Sequence, residues 1–227
     1  MDDDDFSALR AEMVDEIAAE AMLVLQEVGM ERFTPQVMDA MGRVPRHAFV
    51  PVELQPFAYL NRPLPIGYEK TISQPFIVAL MTDLLDIGEE DTILEIGTGL
   101  GYQAAILSLL AKQVYSVEII EELAKQAKHR LANLGCSNVE VKVANGCHGW
   151  PVHAPFDKII VTAAPDLIPP SLINQLRAGG RMVIPAGLPE SQKLLLVAKD
   201  EHNMVTTREI LPVRFSQLEE NQPPTRV

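Results

Sequence analysis

The stretch Thr92–Tyr102, TILEIGTGLGY, constrains this chain more than any other. Ile93, Leu94 and Ile96 read as a short buried strand that ends on an acid, Glu95, just ahead of a turn. Gly97, Gly99 and Gly101 follow at alternate positions, and an apolar helix is predicted over 102–110. Glycines there let the backbone turn sharply and approach a ligand closely, because no Cβ intervenes. The free N–H groups of the next helix face that ligand. Strand, glycine turn and helix form the first unit of a nucleotide-type binding fold.

Downstream, apolar runs predict strands at 92–96, 114–118, 139–143, 157–161 and 181–185, with helices at 121–134 and 171–176 between them. This alternation implies parallel strands joined by crossover helices on both faces. After Pro189 two extended runs flank a polar turn, an antiparallel hairpin on the sheet edge. The expected fold is therefore α/β and Rossmann-like: a mostly parallel sheet with helices on both faces and an antiparallel carboxy-terminal edge.

Residues 1–70 are expected to form a helical and proline-rich cap on a domain at 71–227, the two making effectively one folded unit. Asp2–Asp5 repel one another, so about the first six residues are expected to be disordered. Ser7 is placed to cap a helix whose apolar positions are Leu9, Met13, Ile17, Met22, Leu25 and Val28, with Gly29 as its stop. Thr34 and Pro35 open a second helix through about Met41. The segment 44–68 holds Pro45, Pro51, Pro56, Pro63 and Pro65 and is predicted to be irregular, as a lid or the wall of a site. Ser73, two residues before Pro75, stands where the cap of a helix over 77–85 belongs; a reactive-site role is the alternative. The tail from Glu219 is expected to fray.

Which ligand the glycine turn takes depends partly on charge. The formal net charge is -12, which disfavours nucleic acid and anionic membranes, since both select a positive field. No apolar run approaches the roughly 18 residues that span a bilayer. The start MDDDDF is the reverse of a basic signal-peptide region. Two cysteines, Cys136 and Cys147, give no disulfide framework, so a cytoplasmic location is expected. Cys147, His148 and His153 match no standard zinc spacing, so no metal is expected.

A dinucleotide fingerprint is GxGxxG followed by an acid about 20 residues on. Here the spacing is GxGxG, and Glu118 arrives at the end of the second strand, where a carboxylate can accept both ribose hydroxyls. Glu95 before the turn, a third glycine too early for a pyrophosphate clamp, and the polar pair Asn145-Gly146 after the third strand favour S-adenosylmethionine over NAD. That ligand has no phosphates and is cationic at sulfur, so a nearby acid suits it.

The strings TISQPF at 71–76, ILEIGTGLGYQAA at 93–105, SVEII at 116–120, FDKIIVTAAP at 156–165 and LPVRF at 211–215 together resemble the protein-L-isoaspartate O-methyltransferase family. The resemblance runs from about Phe33 to Leu218; TISQP is its most specific part. It implies a class I methyltransferase fold, S-adenosyl-L-methionine as cofactor, and isoaspartyl-containing proteins and peptides as partners. It also implies a repair reaction in which the α-carboxyl of an L-isoaspartyl residue is methylated and the ester then collapses to a succinimide. Ser73 maps onto the proposed active-site serine, in the role of a positioner. Gly97, Thr98 and Gly99 map to the methionine part of the cofactor with Glu95 shaping that end, and Gly101 is counted among the cofactor contacts. Glu118 maps to the ribose, and Asn145 and Gly146 to the adenine. Family members usually have GDG where this chain has Ala144-Asn145-Gly146, so a charge-assisted hydrogen bond becomes a neutral one. Thr71, Ile72, Val213, Arg214 and Phe215 map near the peptide groove, where Arg214 either meets a substrate carboxylate or makes a structural salt bridge.

Other readings on the same fold are another class I methyltransferase, an NAD-dependent oxidoreductase, or a non-catalytic adenosylmethionine-binding module that recognises peptide termini. A Ser-His-Asp hydrolase is disfavoured, because Ser73 lacks a GxSxG elbow.

Overall fold

The computed structural model describes residues 3–219 apart from 25, 27, 28 and 30. Its first helix, α1 (Asp3–Val24), begins earlier than expected. The disordered tip predicted for the first six residues is corrected from Asp3 onward, and Ser7 lies inside the helix rather than at its cap. Two causes are visible. Asp5 sits in the first turn, where the positive end of the helix dipole favours an acid. Phe6 is buried and stacks on His47 with ring centroids 3.9 Å apart, which ties the start of the helix to the body. Met13, Ile17 and Ala21 continue the buried stripe, whereas Met22 faces solvent. Leu25 and Val28 fall outside the described residues.

Helix α2 (Pro35–Arg43) starts at its proline, as expected. Thr34 does not cap it through its side chain; its amide and hydroxyl both donate to Asp83 at 2.7 Å. The proline-rich stretch forms two short 3-10 turns, Arg46–Phe49 and Val52–Phe57, and then strands β1 (Leu64–Gly67) and β2 (Lys70–Ile72). These strands pair antiparallel. The expectation of irregular chain through residue 68 is thus corrected at its end. Pro63 and Pro65 are tolerated because a two-stranded ribbon has free edges on both sides.

Helix α3 (Pro75–Leu84) takes Gln74, not Ser73, as its N-cap residue. The seven-stranded sheet follows. Its parallel part comprises β3 (Thr92–Ile96), β4 (Gln113–Glu118), β5 (Val139–Val143), β6 (Phe156–Val161) and β7 (Leu176–Ala186). Strands β8 (Lys193–Lys199) and β9 (Val205–Pro212) add the antiparallel edge, and the spatial order is β5-β4-β3-β6-β7-β8-β9. Helices α4 (Tyr102–Ser108), α5 (Glu121–Asn133) and α6 (Pro170–Gln175) make the crossovers. Strand residues alternate between two cores. Ile93, Val114, Ile160 and Val183 join the cluster that also holds Phe6, Met13 and Ile17 of α1. Leu94, Ile96, Ile159, Val161, Met182 and Ile184 pack with Leu172 and Trp150 on the opposite face. The amino-terminal cap therefore shares the main core of the sheet.

The order places β3 between β4 and β6. The chain winds outward from β3 to β5, then returns to the other side of β3. The carboxyl ends of β3 and β6 thus form a topological switch point, the place where open α/β sheets bind ligands. Among the described residues no helix is long and apolar enough to cross a membrane.

If Phe6 anchors α1 in this way, Phe6→Ala is expected to destabilise the protein by about 3 kcal/mol, the usual cost of emptying a buried aromatic site. Urea unfolding checks this: an unchanged midpoint would mean that the start of α1 adds nothing to the core.

Candidate active site

The glycine turn is built by positive backbone angles: Gly97 has φ 95°, Gly99 56° and Gly101 101°. At Gly97 the absence of a side chain is also steric, since a Cβ would lie 2.4 Å from Thr162 Oγ1. That hydroxyl donates to Gly97 O at 2.6 Å and to Ile96 O at 3.1 Å, joining the ends of β3 and β6. Glu118, at the end of β4, closes the turn from the other side. Its two oxygens accept from Gly99 N at 2.8 Å and Ile120 N at 3.0 Å. Burial pushes the Glu118 carboxyl up, and the surrounding backbone N–H groups oppose that rise. Each oxygen keeps a further lone pair for a ligand hydroxyl.

These groups border an open cleft at the carboxyl ends of the strands. Gly97, Gly99, Glu118, Gly146 and Thr71 all line it, together with Ile119, Leu123 and Thr162. Gly146 has no room for a side chain, because a Cβ would meet Ile96 Cγ2 at 2.4 Å. Asn145 caps the short 3-10 turn that follows it, with Oδ1 accepting from Cys147 N at 2.8 Å. The neutral amide thus spends one acceptor position on its own turn.

Asn145 itself is not among the residues that line the cleft, and three further expected contacts take other places. Glu95 is completely buried beneath the turn, where Ser116 Oγ donates to its Oε2. Ser116 in turn bonds Thr98 Oγ1 at 2.6 Å, so Thr98 points inward as well. Gly101 is the N-cap residue of α4, and a Cβ there would press on Leu131 at 3.3 Å. Its role in this structure is packing rather than lining the cleft.

A second, smaller pocket adjoins the first and is lined by Thr71, Ile72, Ser73, Thr98, Tyr102 and Gln103. A third, open groove runs from Pro63, Ser73 and Gln74 to Val213, Arg214 and Phe215. Thr71 and Thr162 border all three spaces, and Ser73 borders the pocket and the groove. The reading of Ser73 as a helix cap is set aside by Gln74, and Ser73 lines both the pocket and the groove. The sequence did not single out Thr162, although it is the first residue after β6 and so stands at the switch point. It also missed the carboxy-terminal wall. Residues 216–219 line the cleft, held by Ala164 N to Ser216 O at 2.8 Å and Leu218 N to Ala164 O at 2.9 Å. Glu219, expected to fray, is ion-paired with Lys70 of β2 across the cleft.

Glu95 gives the site a pH signature. Burial raises its pKa from 4.5 to about 8, opposed by the hydrogen bond from Ser116. The folded state therefore holds a proton that the unfolded state has lost, and stability falls as pH rises from 4.5 to about 8. Glu95→Gln keeps a neutral polar side chain, so its melting temperature relative to wild type is expected to climb across that window. A parallel pH course for the two proteins would show that Glu95 is ionised in the fold.

Comparison with known proteins fits this geometry. The family model for protein-L-isoaspartate(D-aspartate) O-methyltransferase matches residues 18–222. Protein-L-isoaspartate O-methyltransferase 1 of Polaromonas sp. (strain JS666) is 62% identical over 223 residues, covering 98% of this chain and 94% of the relative. A solved protein-L-isoaspartate O-methyltransferase superposes with a TM-score of 0.78 at 26% identity, over 94% of this chain and 67% of that one. A Plasmodium falciparum protein solved in complex with S-adenosyl-L-homocysteine gives 0.77 over 92% of this chain and 98% of its own. At 18% identity that likeness is one of fold. A match of this length, to a family whose signature strings line the three joined cavities, means that the chain belongs to the protein-L-isoaspartate(D-aspartate) O-methyltransferase family.

Proposed function

We propose that this chain methylates the α-carboxyl of L-isoaspartyl residues in damaged proteins and peptides, using S-adenosyl-L-methionine. One observation supports it above the rest: the cleft beside Glu118 and the open groove meet at Thr71 and Thr162, with Ser73 on the groove side of that junction. Donor and acceptor can thus approach from opposite sides of one short passage.

The cleft fits the cofactor. Glu118 offers lone pairs to a ribose, Gly146 and Ile119 provide a close-fitting wall for a base, and the Gly97–Gly99 backbone leaves room at the methionine end. When bound, adenosylmethionine supplies a methyl group on a cationic sulfur that is already a good leaving group. The acceptor needs no general base, since an α-carboxylate with a pKa of about 3.3–3.7 is ionised at neutral pH. The protein's task is alignment and exclusion of water. In this reading Ser73 donates its hydroxyl to one carboxylate oxygen, leaving the other free to attack. It forms no covalent intermediate. Val213, Arg214 and Phe215 form the far wall of the groove and receive the peptide, with the exposed Arg214 placed to meet a carboxylate.

Methyl transfer from labelled adenosylmethionine to an isoaspartyl peptide and to its aspartyl twin tests the function. Ester is expected only on the isoaspartyl form; equal labelling of both, or of neither, sinks the reading. In the same assay Ser73→Ala is expected to lower kcat by about 10- to 100-fold, the scale of a lost alignment contact. Cofactor affinity should stay within about twofold, since that residue lies outside the cofactor cleft. Asn145→Asp restores the acid usual at this position and is expected to tighten adenosylmethionine by about 1 kcal/mol, the difference between a neutral and a charge-assisted hydrogen bond. Unchanged affinity in calorimetry would remove residue 145 from the adenine site.

A further inference from the structure

Arg46 is fully buried, and its surroundings differ from those of an ordinary core arginine. Its Nε donates to Ala58 O at 2.8 Å, and its Nη2 donates to Ser73 O at 2.8 Å and Arg62 O at 3.5 Å. The guanidinium carbon lies 4.9 Å from the centre of the Tyr102 ring. Nη1 has no hydrogen-bond partner among the described residues. Among the described residues the charge interactions it receives come from Tyr102 and Tyr59, and burial brings its pKa down to about 10. A guanidinium held in a core by carbonyls and a ring face, with no carboxylate partner among the described residues, keeps a desolvation cost that no counter-charge offsets. As a plain structural tie it is expensive.

What the fork joins gives it a role. Two of its carbonyls belong to the turn at 58–62, and the third is that of Ser73. Ser73 lies between β2 and α3, in neither a strand nor a helix, so no ladder fixes its peptide plane. The same 58–62 turn also reaches the start of α3, where Asn61 Oδ1 accepts from Phe76 N at 3.0 Å. The segment 73–76 is thus held at both ends by the cap. A bond to the carbonyl of a residue fixes its ψ, and with it the point from which the side chain projects. Tyr102, under the guanidinium, lines the same pocket as Ser73.

We propose that Arg46 is a positioning residue: its buried fork holds the Ser73 peptide so that the Ser73 hydroxyl faces the acceptor carboxylate. This rests on the role of Ser73 proposed above. Arg46 touches neither the cofactor cleft nor the groove, so it acts through Ser73.

The test is a double-mutant cycle with isoaspartyl peptide as substrate, counting competent sites by adenosylhomocysteine binding. Arg46→Lys keeps the charge and loses the planar fork. It is expected to reduce kcat per site by about tenfold or more, the cost of roughly 1 Å of misplacement, with cofactor affinity within about twofold of wild type. On top of Ser73→Ala the same change should reduce kcat by less than about twofold, because the group it positions is gone. Equal factors in both backgrounds, or an unchanged kcat in the single variant, would overturn the inference while leaving the reading of Ser73 intact. Full activity of Ser73→Ala alone would overturn both. Arg46→Gln, which retains a donor for the Ser73 carbonyl, is the second variant. If neither Arg46 variant folds, Arg46 is a scaffold residue and the inference falls.

Discussion

The placement of β3 between β4 and β6 is the constraint on which the site depends. Because the chain leaves this strand outward on one side and returns on the other, the ends of β3 and β6 have no crossover helix between them. The hydroxyl of Thr162 bridges that opening through the carbonyls of Ile96 and Gly97. A glycine is required opposite it, since any Cβ at Gly97 would meet that oxygen. The turn then leans against Glu118 through the Gly99 amide. One β-branched hydroxyl, one glycine and one carboxylate thus set the floor of the cleft before any ligand arrives.

Two buried ionisable groups stand behind this floor and do different things. Glu95, with Ser116 and Thr98, forms a hydrogen-bonded stack under the turn, and its raised pKa makes it a neutral acid at physiological pH. It sits beneath the turn and does not line the cleft, which the simplest reading of an acid beside a glycine turn does not anticipate. Arg46 remains a cation, because even a guanidinium lowered to about 10 is protonated at pH 7. Its field and its fork face the Ser73 loop. Burial neutralises the carboxyl under the donor site and leaves charged the guanidinium behind the acceptor site.

Much of this was legible in the sequence, for physical reasons that can be named. The central parallel strands β3, β6 and β7 are buried over most of their length and read as apolar runs, whereas the edge strand β5, VEVKV, alternates. Gly97, Gly99, Gly146 and Glu118 were found because close backbone approach and an acid at a strand end leave a mark in residue type. The β1–β2 ribbon left none. Its turn residues, Tyr68 and Glu69, both have positive φ, as a type I′ turn requires, but the usual Asn-Gly signal is absent. Residues 216–219 left no mark either, because they are placed by an isolated bridge between Ala164 and Gln217, by the Lys70–Glu219 ion pair, and by Gln192, whose side chain bonds the preceding Phe215 at both N and O. Arg46 escaped notice because burial of a charged side chain is the opposite of what its residue type suggests. Gly101 shows the reverse error: a glycine in the motif whose missing Cβ makes space for Leu131 rather than for a ligand.

The carboxy-terminal strip has one more consequence. Residues 212–216 wall the open groove, and residues 216–219 wall the cleft beside Glu118, so a single short run of backbone is shared by both. Ser216 belongs to each. A ligand resting on the strip from one side presses on the same backbone that walls the space on the other. By thermodynamic reciprocity, whatever coupling free energy results counts equally in both directions. Any coupling between the two spaces therefore runs through one common wall, the eight residues 212–219.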